Sequence, residues 1–519
     1  MKHNIFYKSL AIGSLGTLLL ATGCTNLDEE LYGQLTPSSY YQNEEEALSS
    51  LAGVYEKMTP MVMAANDGWR VGEYSTDEFF CPGRGGGWWD DNQDEIAMHQ
   101  VSPTNERLSN SWANRIFPAI GCANAVIESL KASPRASEFG ALIAECRAIR
   151  AIEYFWAMEY WGNIPVFTGA RVDAKNLPEQ WPVEKVYAFI EQELKEAAEV
   201  LPSATTVGAE YYPRLTKEAV LCRLAQLYIM GEFYTGQARW AECEATCNAI
   251  INTNAFGLEE RVGDCFREDM EGKSKEVLSA VSVDAKQNVG QGGNDFWLYS
   301  QGEWDMVKYG CSVYGARGYS FSDEALNRYE DGDERLELIE HGPQFDLDGN
   351  MIDEKGAIVT DKAKQLVIKG MTNKHDSKVD EGYIVLKYTP VGGSWINNSL
   401  NNDFILDRYS NVLLLKCEAL FRQKKDLSTA LELINQVRRR SELSDLTAEQ
   451  LNEDAIEKER ANEFIWEGQR RRDMLRFGSF FTNTNWWKTE PDADHHTQFF
   501  PIPAQQLAAN PKLKQNPGY

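Results

Sequence analysis

Apolar residues recur at steps of three and four through much of the chain. Over 141–161 they fall at Leu142, Cys146, Ile149, Ile152 and Phe155, which predicts a helix with one buried stripe. Pro182 opens a second helix at its first turn. Val186, Ile190, Leu194, Ala197 and Leu201 carry its stripe, and Pro202 stops it. Thr216 is a suitable N-cap for a helix reaching about Tyr234, and the next is expected from Trp240 to about Asn252. Near the C-terminus the same periodicity predicts helices over 406–423, 427–440 and 447–466. Short connections between several of these imply antiparallel helical hairpins. The stretch 219–250, with Leu221, Ala225, Tyr228 and Trp240-Ala241, looks like a tetratricopeptide-type unit, but no regular period runs along the chain. The expected fold class is mostly α, built of irregular tetratricopeptide-like helix pairs with a few short β-hairpins.

Two long regions break the pattern, at about 64–105 and 284–400. The first carries Trp69, Gly83, Gly85, Gly86, Gly87, Trp88 and Trp89; the second carries Trp297, Tyr299, Trp304, Tyr309 and Tyr314 early in its length. Within the second, 345–352 reads as a hairpin turning at Asp348-Gly349, and 383–388 alternates like a strand. Loops of this length, when ordered, usually carry function. A sugar ring offers C–H faces that stack on an indole and hydroxyls that need amides, carboxylates or guanidinium groups. Trp88, Trp89, Asp90, Asp91, Asn92 and Arg84 supply both within one short stretch. Trp88 and Trp89 are the expected stacking platform, with Arg84 and Asp90 as hydrogen-bonding groups. Trp304 and Tyr314 are candidates to extend it.

The first 23 residues read as a secretory signal peptide, with Lys2 and Lys8 before an apolar run that ends at Gly23-Cys24. Leu20-Ala21-Thr22-Gly23-Cys24 resembles a bacterial lipobox, so Cys24 is the expected lipidated first residue of the mature chain, anchored to the membrane rather than spanning it. Of ten cysteines, nine remain after that assignment, and most sit inside helical patterns as small buried hydrophobes. The formal charge is −26, which disfavours nucleic acid as a partner. No nucleophile elbow, phosphate loop or zinc spacing is present. The adjacent His495-His496 cannot place two ligands on one helix face, and Asp346, Asp348 and Asn350 are explained by the hairpin turn without calcium. Neither enzyme activity, a cofactor nor a metal is expected. The runs Arg438–Arg440 and Arg470–Arg472 lie close to acidic helices and are expected to form ion pairs.

A series of motifs then runs in order along the mature chain. They are Cys24-Thr-Asn-Leu-Asp-Glu-Glu30, Leu35-Thr-Pro-Ser-Ser-Tyr-Tyr41, Tyr55, Glu145-Cys-Arg-Ala148, Trp161-Gly-Asn-Ile-Pro165 and Arg214-Leu-Thr-Lys217. Later come Arg408-Tyr409, Glu418-Ala419, Glu459-Arg460, Glu467-Gly-Gln-Arg470, Asp473, Phe500-Pro-Ile-Pro503 and Gln515-Asn-Pro-Gly-Tyr519. This series resembles the SusD/RagB family of Bacteroidetes outer-membrane lipoproteins. The resemblance implies one SusD-like domain over 24–519, with a helical scaffold and a loop-rich ligand face. It implies a surface lipoprotein of the outer membrane that captures oligosaccharide and delivers it to a SusC-like TonB-dependent transporter. It also implies that the late motifs serve packing and ion pairing, while the variable loops set specificity. A RagB-like role in peptide import and a lipid-anchored hydrolase remain as alternatives.

Overall fold

Helices form where the stripes predict them, and each packs on the next in sequence. The computed structural model describes residues 41, 43–63, 67–84, 91–284, 294, 300–310, 317–389 and 400–519. Its main helices are α1 (Glu44–Val62), α2 (Phe117–Ala132), α3 (Gly140–Trp161), α4 (Val183–Val200), α5 (Lys217–Ile229), α6 (Trp240–Ile251), α7 (Tyr409–Arg422), α8 (Leu427–Arg440), α9 (Glu453–Glu463) and α10 (Arg470–Phe477). Sequential neighbours from α1 to α8 pack side by side, and α9 packs on α7 and on α10. One cluster of buried apolar side chains runs from Tyr41 to Leu513.

Caps explain the boundaries. Pro182 is extended at φ −65° and ψ 152° just ahead of α4. The Thr216 hydroxyl accepts from the Ala219 N–H at the start of α5. That helix ends at Ile229 instead of running on to Tyr234, because Met230 leaves helical geometry and a short separate turn, Gly231–Thr235, follows. The helix expected from 447 begins at Glu453, where the Asn452 side chain accepts from the Ala455 N–H at 2.8 Å. The helices α1 and α2 are additions to the periodic reading. Asn43 caps α1 by accepting from the Glu46 N–H at 2.9 Å, with three glutamates in the first turn.

Between α6 and α7 the chain leaves the helical array and returns. The two ends of this excursion are closed by an antiparallel pair, β1 (Val277–Val281) against β2 (Phe404–Arg408), with Phe404 opposite Val281 and Arg408 opposite Val277. Residues 406–408 are therefore strand, and the helix expected from 406 starts at Tyr409. Inside the excursion Phe345 bridges Met351 around a turn with Gly349 at φ 84°, as the hairpin pattern predicts. The Asp346 carboxylate accepts from the Asp348 and Asn350 N–H groups of that turn. Ile384–Val385 pairs with Ile339–Glu340, so a short strand lies within 383–388.

The motifs of the resemblance meet in the scaffold. Tyr55 donates to the Glu145 carboxylate at 2.5 Å, and Arg214 donates to the same group at 2.7 Å. Gly162, at φ 64°, caps α3, and a Cβ there would lie 2.8 Å from the Phe499 ring. Asn516 donates to the main-chain carbonyls of Trp161 at 3.0 Å and Phe500 at 2.7 Å, tying the chain terminus to that turn. Cys243 and Cys247 are fully buried on one face of α6 and are free thiols.

Candidate functional site

The two loop regions, about 240 residues apart in sequence, are joined edge to edge. Phe79 pairs with Phe321 and Phe80 with Ser320 in an antiparallel two-residue ladder. Beyond it the Gly83 N–H donates to the Lys374 carbonyl at 2.7 Å, and the Ser377 N–H donates to the Gly83 carbonyl at 2.9 Å. A Cβ on residue 83 would stand 2.5 Å from the His375 carbonyl oxygen, so this approach requires glycine. On the far side of residues 85–90, Asp94 receives the Lys374 ammonium at 2.7 Å. Both flanks of the Trp88-Trp89-Asp90 stretch are thus held against the same segment of the second loop region.

Arg84 is the chief tie. Its Nη2 donates to Ser320 Oγ at 2.8 Å and to the Glu381 carbonyl at 2.6 Å, and Nη1 donates to the Lys378 carbonyl. Burial pulls its pKa down to about 10, against the opposing pull of nearby anionic groups. Arg317, also buried, adds parallel bonds to the Val379 and Glu381 carbonyls, each at 3.0 Å. The terminal nitrogens of Arg84 are therefore committed within the protein, and the expectation that they face a ligand is corrected: Arg84 positions the loop base. Trp304 is corrected as well. It is 1% exposed, and its indole N–H donates to Glu340 Oε2 at 3.1 Å. Arg317 lies over its ring at 5.8 Å, so it fills the core beneath the loops. Trp88, Trp89, Asp90, Tyr314 and Cys24 lie outside the described residues.

Beneath the ladder, charged groups lock the loop region to the scaffold. Asp77 takes Arg470 and Arg328, each at 2.8 Å. Burial alone would raise its pKa, but the two guanidinium groups outweigh burial and hold the carboxyl well below the usual range. The Trp466 N–H donates to Glu78 at 3.1 Å. Arg472 pairs with Glu159 at 2.6 Å, and Arg440 with Glu276 at 3.0 Å and Glu463 at 2.5 Å. Five of the six arginines in the two runs form ion pairs, as expected, those of Arg439 at the surface, while Arg471 donates to the Glu159 and Gln498 main-chain carbonyls.

Next to Asp91 opens a largely polar cleft of about 470 Å³, lined by Asp67, Asn92, Glu106, Arg107, Ser109, Asn110, Ala113, Asn114 and Gln505. Asn92 is the member visible in the sequence pattern. Asp67 precedes Trp69 in the first loop region, and the others come from the short helix Glu106–Asn110, the π-helical turn Ser111–Ile116 that continues it, and the short helix Ala504–Ala509. Asn114 lies in the motif Trp112-Ala-Asn114, which is shared with the SusD/RagB resemblance. Asp67 is the hub, accepting from Arg70 at 2.7 Å, Arg107 at 3.1 Å and Asn110 at 2.6 Å. Asn92 Oδ1 accepts from the Glu106 N–H at 2.9 Å, which ties the start of the short helix to Asn92. The cleft presents amides, a hydroxyl, carboxylates and the Arg107 guanidinium, groups suited to binding hydroxyls. Among the described residues no group of His, Cys, Asp or Glu is arranged to hold a metal ion.

Comparison with known proteins agrees with this architecture. Residues 275–519 match the model of the SusD family, and residues 28–229 match a model described as starch-binding associating with outer membrane. The starch-binding protein SusD of Bacteroides thetaiotaomicron is 24% identical over 479 residues, covering 83% of this chain and 82% of the relative. The SusD-like protein P2 of Formosa agariphila is 23% identical, covering 99% of this chain and all of that protein. Among solved structures, a surface glycan-binding protein A from Bacteroides thetaiotaomicron in complex with laminarihexaose superposes with a TM-score of 0.72. It is 19% identical and covers 91% of this chain and 99% of its own.

Proposed function

The chain is a SusD-like protein, and from that premise we propose that it is a surface glycan-binding lipoprotein that captures oligosaccharides at its loop face. Named relatives bind starch or laminarihexaose, which supports a saccharide as the ligand. The role is capture rather than chemical conversion. Residues 24–519 act as one unit, tethered to the outer membrane by acylated Cys24. The loop face hands its ligand to a SusC-like TonB-dependent transporter.

The observation that carries this reading is the junction of the two loop regions. Pairing of 79–80 with 320–321, and the bonds of Gly83 and Arg84 to 374–381, brace both flanks of a stretch that holds two tryptophans and an aspartate. Flanks that are already held in place reduce the ordering cost of binding. The test is calorimetric titration of Trp88→Ala and Trp89→Ala. At least one variant is expected to lose tenfold or more in affinity, about 1.4 kcal/mol, with an unchanged melting temperature. Full affinity in both would remove the loop as the site.

A further inference from the structure

Within the excursion, the small sheet around Phe345 reverses the usual alternation. Gly342 pairs with Ile368, Pro343 with Val367 and Phe345 with Met351. A sheet with one face in solvent turns apolar residues inward and polar residues outward. Here Gln344 is the buried member of its strand, while Phe345 and Leu347 are 43% and 67% exposed. Ile352, Leu366 and Ile368 are buried as well, and Val367 between the last two is exposed. A slip of one residue would turn Phe345 and Leu347 inward. The register is held against it: the Gln344 N–H donates to the Leu366 carbonyl at 2.9 Å, and the Gln344 side chain donates to the His341 and Gly342 carbonyls, each at 3.1 Å. Ile358, opposite Ile352, and Val307 lie at the margin of this surface; a Cβ on Gly356 would stand 2.7 Å from Val307 Cβ. Five of the nine exposed large hydrophobic side chains among the described residues are these (Val307, Phe345, Leu347, Ile358 and Val367), so the apolar exposure is concentrated in one place.

Charge, area and position decide what covers this face. Asp346 and Asp353 accept from N–H groups of their own turns. Asp348, Glu354 and Asp361 are exposed, and no charged group from 346 to 364 forms an ion pair among the described residues. These acids outnumber Lys355, Lys362 and Lys364, which disfavours an anionic lipid surface. A second copy would bring the same acids and a further formal charge of −26. The apolar side chains supply only part of the roughly 800 Å² that each partner of a stable free complex buries. A contact of this size suffices when both partners are held in one membrane, which raises their effective concentration. The chain after Ile368 leads straight to the segment 374–381 that binds Gly83 and Arg84, so the apolar face continues from the proposed ligand face. A protein that receives ligand from one is placed to touch the other.

We propose that the outward sheet face carrying Phe345, Leu347 and Val367 is a docking surface for the transporter, which meets it with apolar side chains bordered by basic ones. This rests on the transporter reading above. The test purifies the tagged, full-length lipoprotein from outer membranes in mild detergent and quantifies the TonB-dependent transporter recovered with it. Leu347→Ser/Val367→Ser is expected to recover at least tenfold less transporter, at unchanged melting temperature and unchanged glycan affinity. A photoreactive benzoylphenylalanine in place of Leu347 is expected to cross-link to the transporter in intact cells, and one in place of Val200, exposed on α4, is not. Full recovery with the double variant, or an adduct no stronger at 347 than at 200, overturns the surface and leaves the transporter reading standing. Flotation of the Cys24→Ala protein with phosphatidylglycerol vesicles, abolished by the same double substitution, would assign the face to lipid and overturn it too. Absence of any transporter with the wild type overturns both readings.

Discussion

Trp304 shows how far a side chain's role depends on what surrounds it. An indole in an aromatic, loop-like stretch suits a ligand platform as well as a core. Burial to 1% and a bond to Glu340 decide for the core. Trp304→Ala is therefore expected to cost about 3–5 kcal/mol and lower the melting temperature by several degrees. Thermal unfolding measured beside glycan titration checks this, and a variant with native stability and lost affinity would reverse the assignment. Arg84 follows the same logic with a polar group. A guanidinium next to Gly-rich backbone is as well suited to carbonyls of its own chain as to sugar hydroxyls. Here it serves Ser320, Lys378 and Glu381.

At the level of elements, Arg408 joins strand, helix and C-terminal segment. It sits at the end of β2 with 0% side-chain exposure, bonded to Glu276 and Glu463 at 2.7 Å and to Glu467 at 2.8 Å. Burial pushes the Glu463 carboxyl up in pKa, but the guanidinium groups of Arg440, Arg408 and Arg335 outweigh it and hold the group well below the usual carboxylate range. Arg408→Met leaves three buried carboxylates short of compensation, at an expected cost of about 3–5 kcal/mol near pH 7. A carboxyl whose folded pKa is depressed contributes stability above its unfolded pKa, about 4.3. That contribution is lost as pH falls through the folded value. The gap between wild type and variant is therefore expected to narrow below about pH 4. Denaturant midpoints at pH 7 and pH 3.5 measure it, and an equal gap at both would show that the effect is packing rather than charge.

For the whole molecule, the helical array presents the excursion and the loop of 64–105 together, so the proposed ligand face is assembled from parts distant in sequence. The proposed lipid anchor is also tested at this scale; no described helix is long and apolar enough to cross a bilayer. Cys24→Ala is expected to move the protein from the membrane fraction to the soluble fraction. If the variant still sediments with the outer membrane, the lipid-anchor assignment fails. Co-purification of the wild type with a TonB-dependent transporter under mild detergent is the corresponding check on the partner.

Helix stripes such as Leu142 to Phe155 were legible in the sequence because a 3.6-residue period is a local property of the chain. The break at Pro202 was legible for the same reason, since proline acts on its own backbone. So was the concentration of aromatic and hydrogen-bonding residues from Arg84 to Asn92. The strand Phe404–Arg408 was not legible: all five of its residues are buried, so it shows no alternation, and its apolar run reads equally well as a helix start. Helix α1 carried its signal in the Asn43 cap and three following glutamates rather than in a strong stripe. Only the tertiary structure could bring Phe79 to Phe321, or set Asn92, Asn114 and Gln505 around one cleft. Those placements depend on long-range packing, in which each surface is chosen by a partner hundreds of residues away, and local pattern carries no record of that partner.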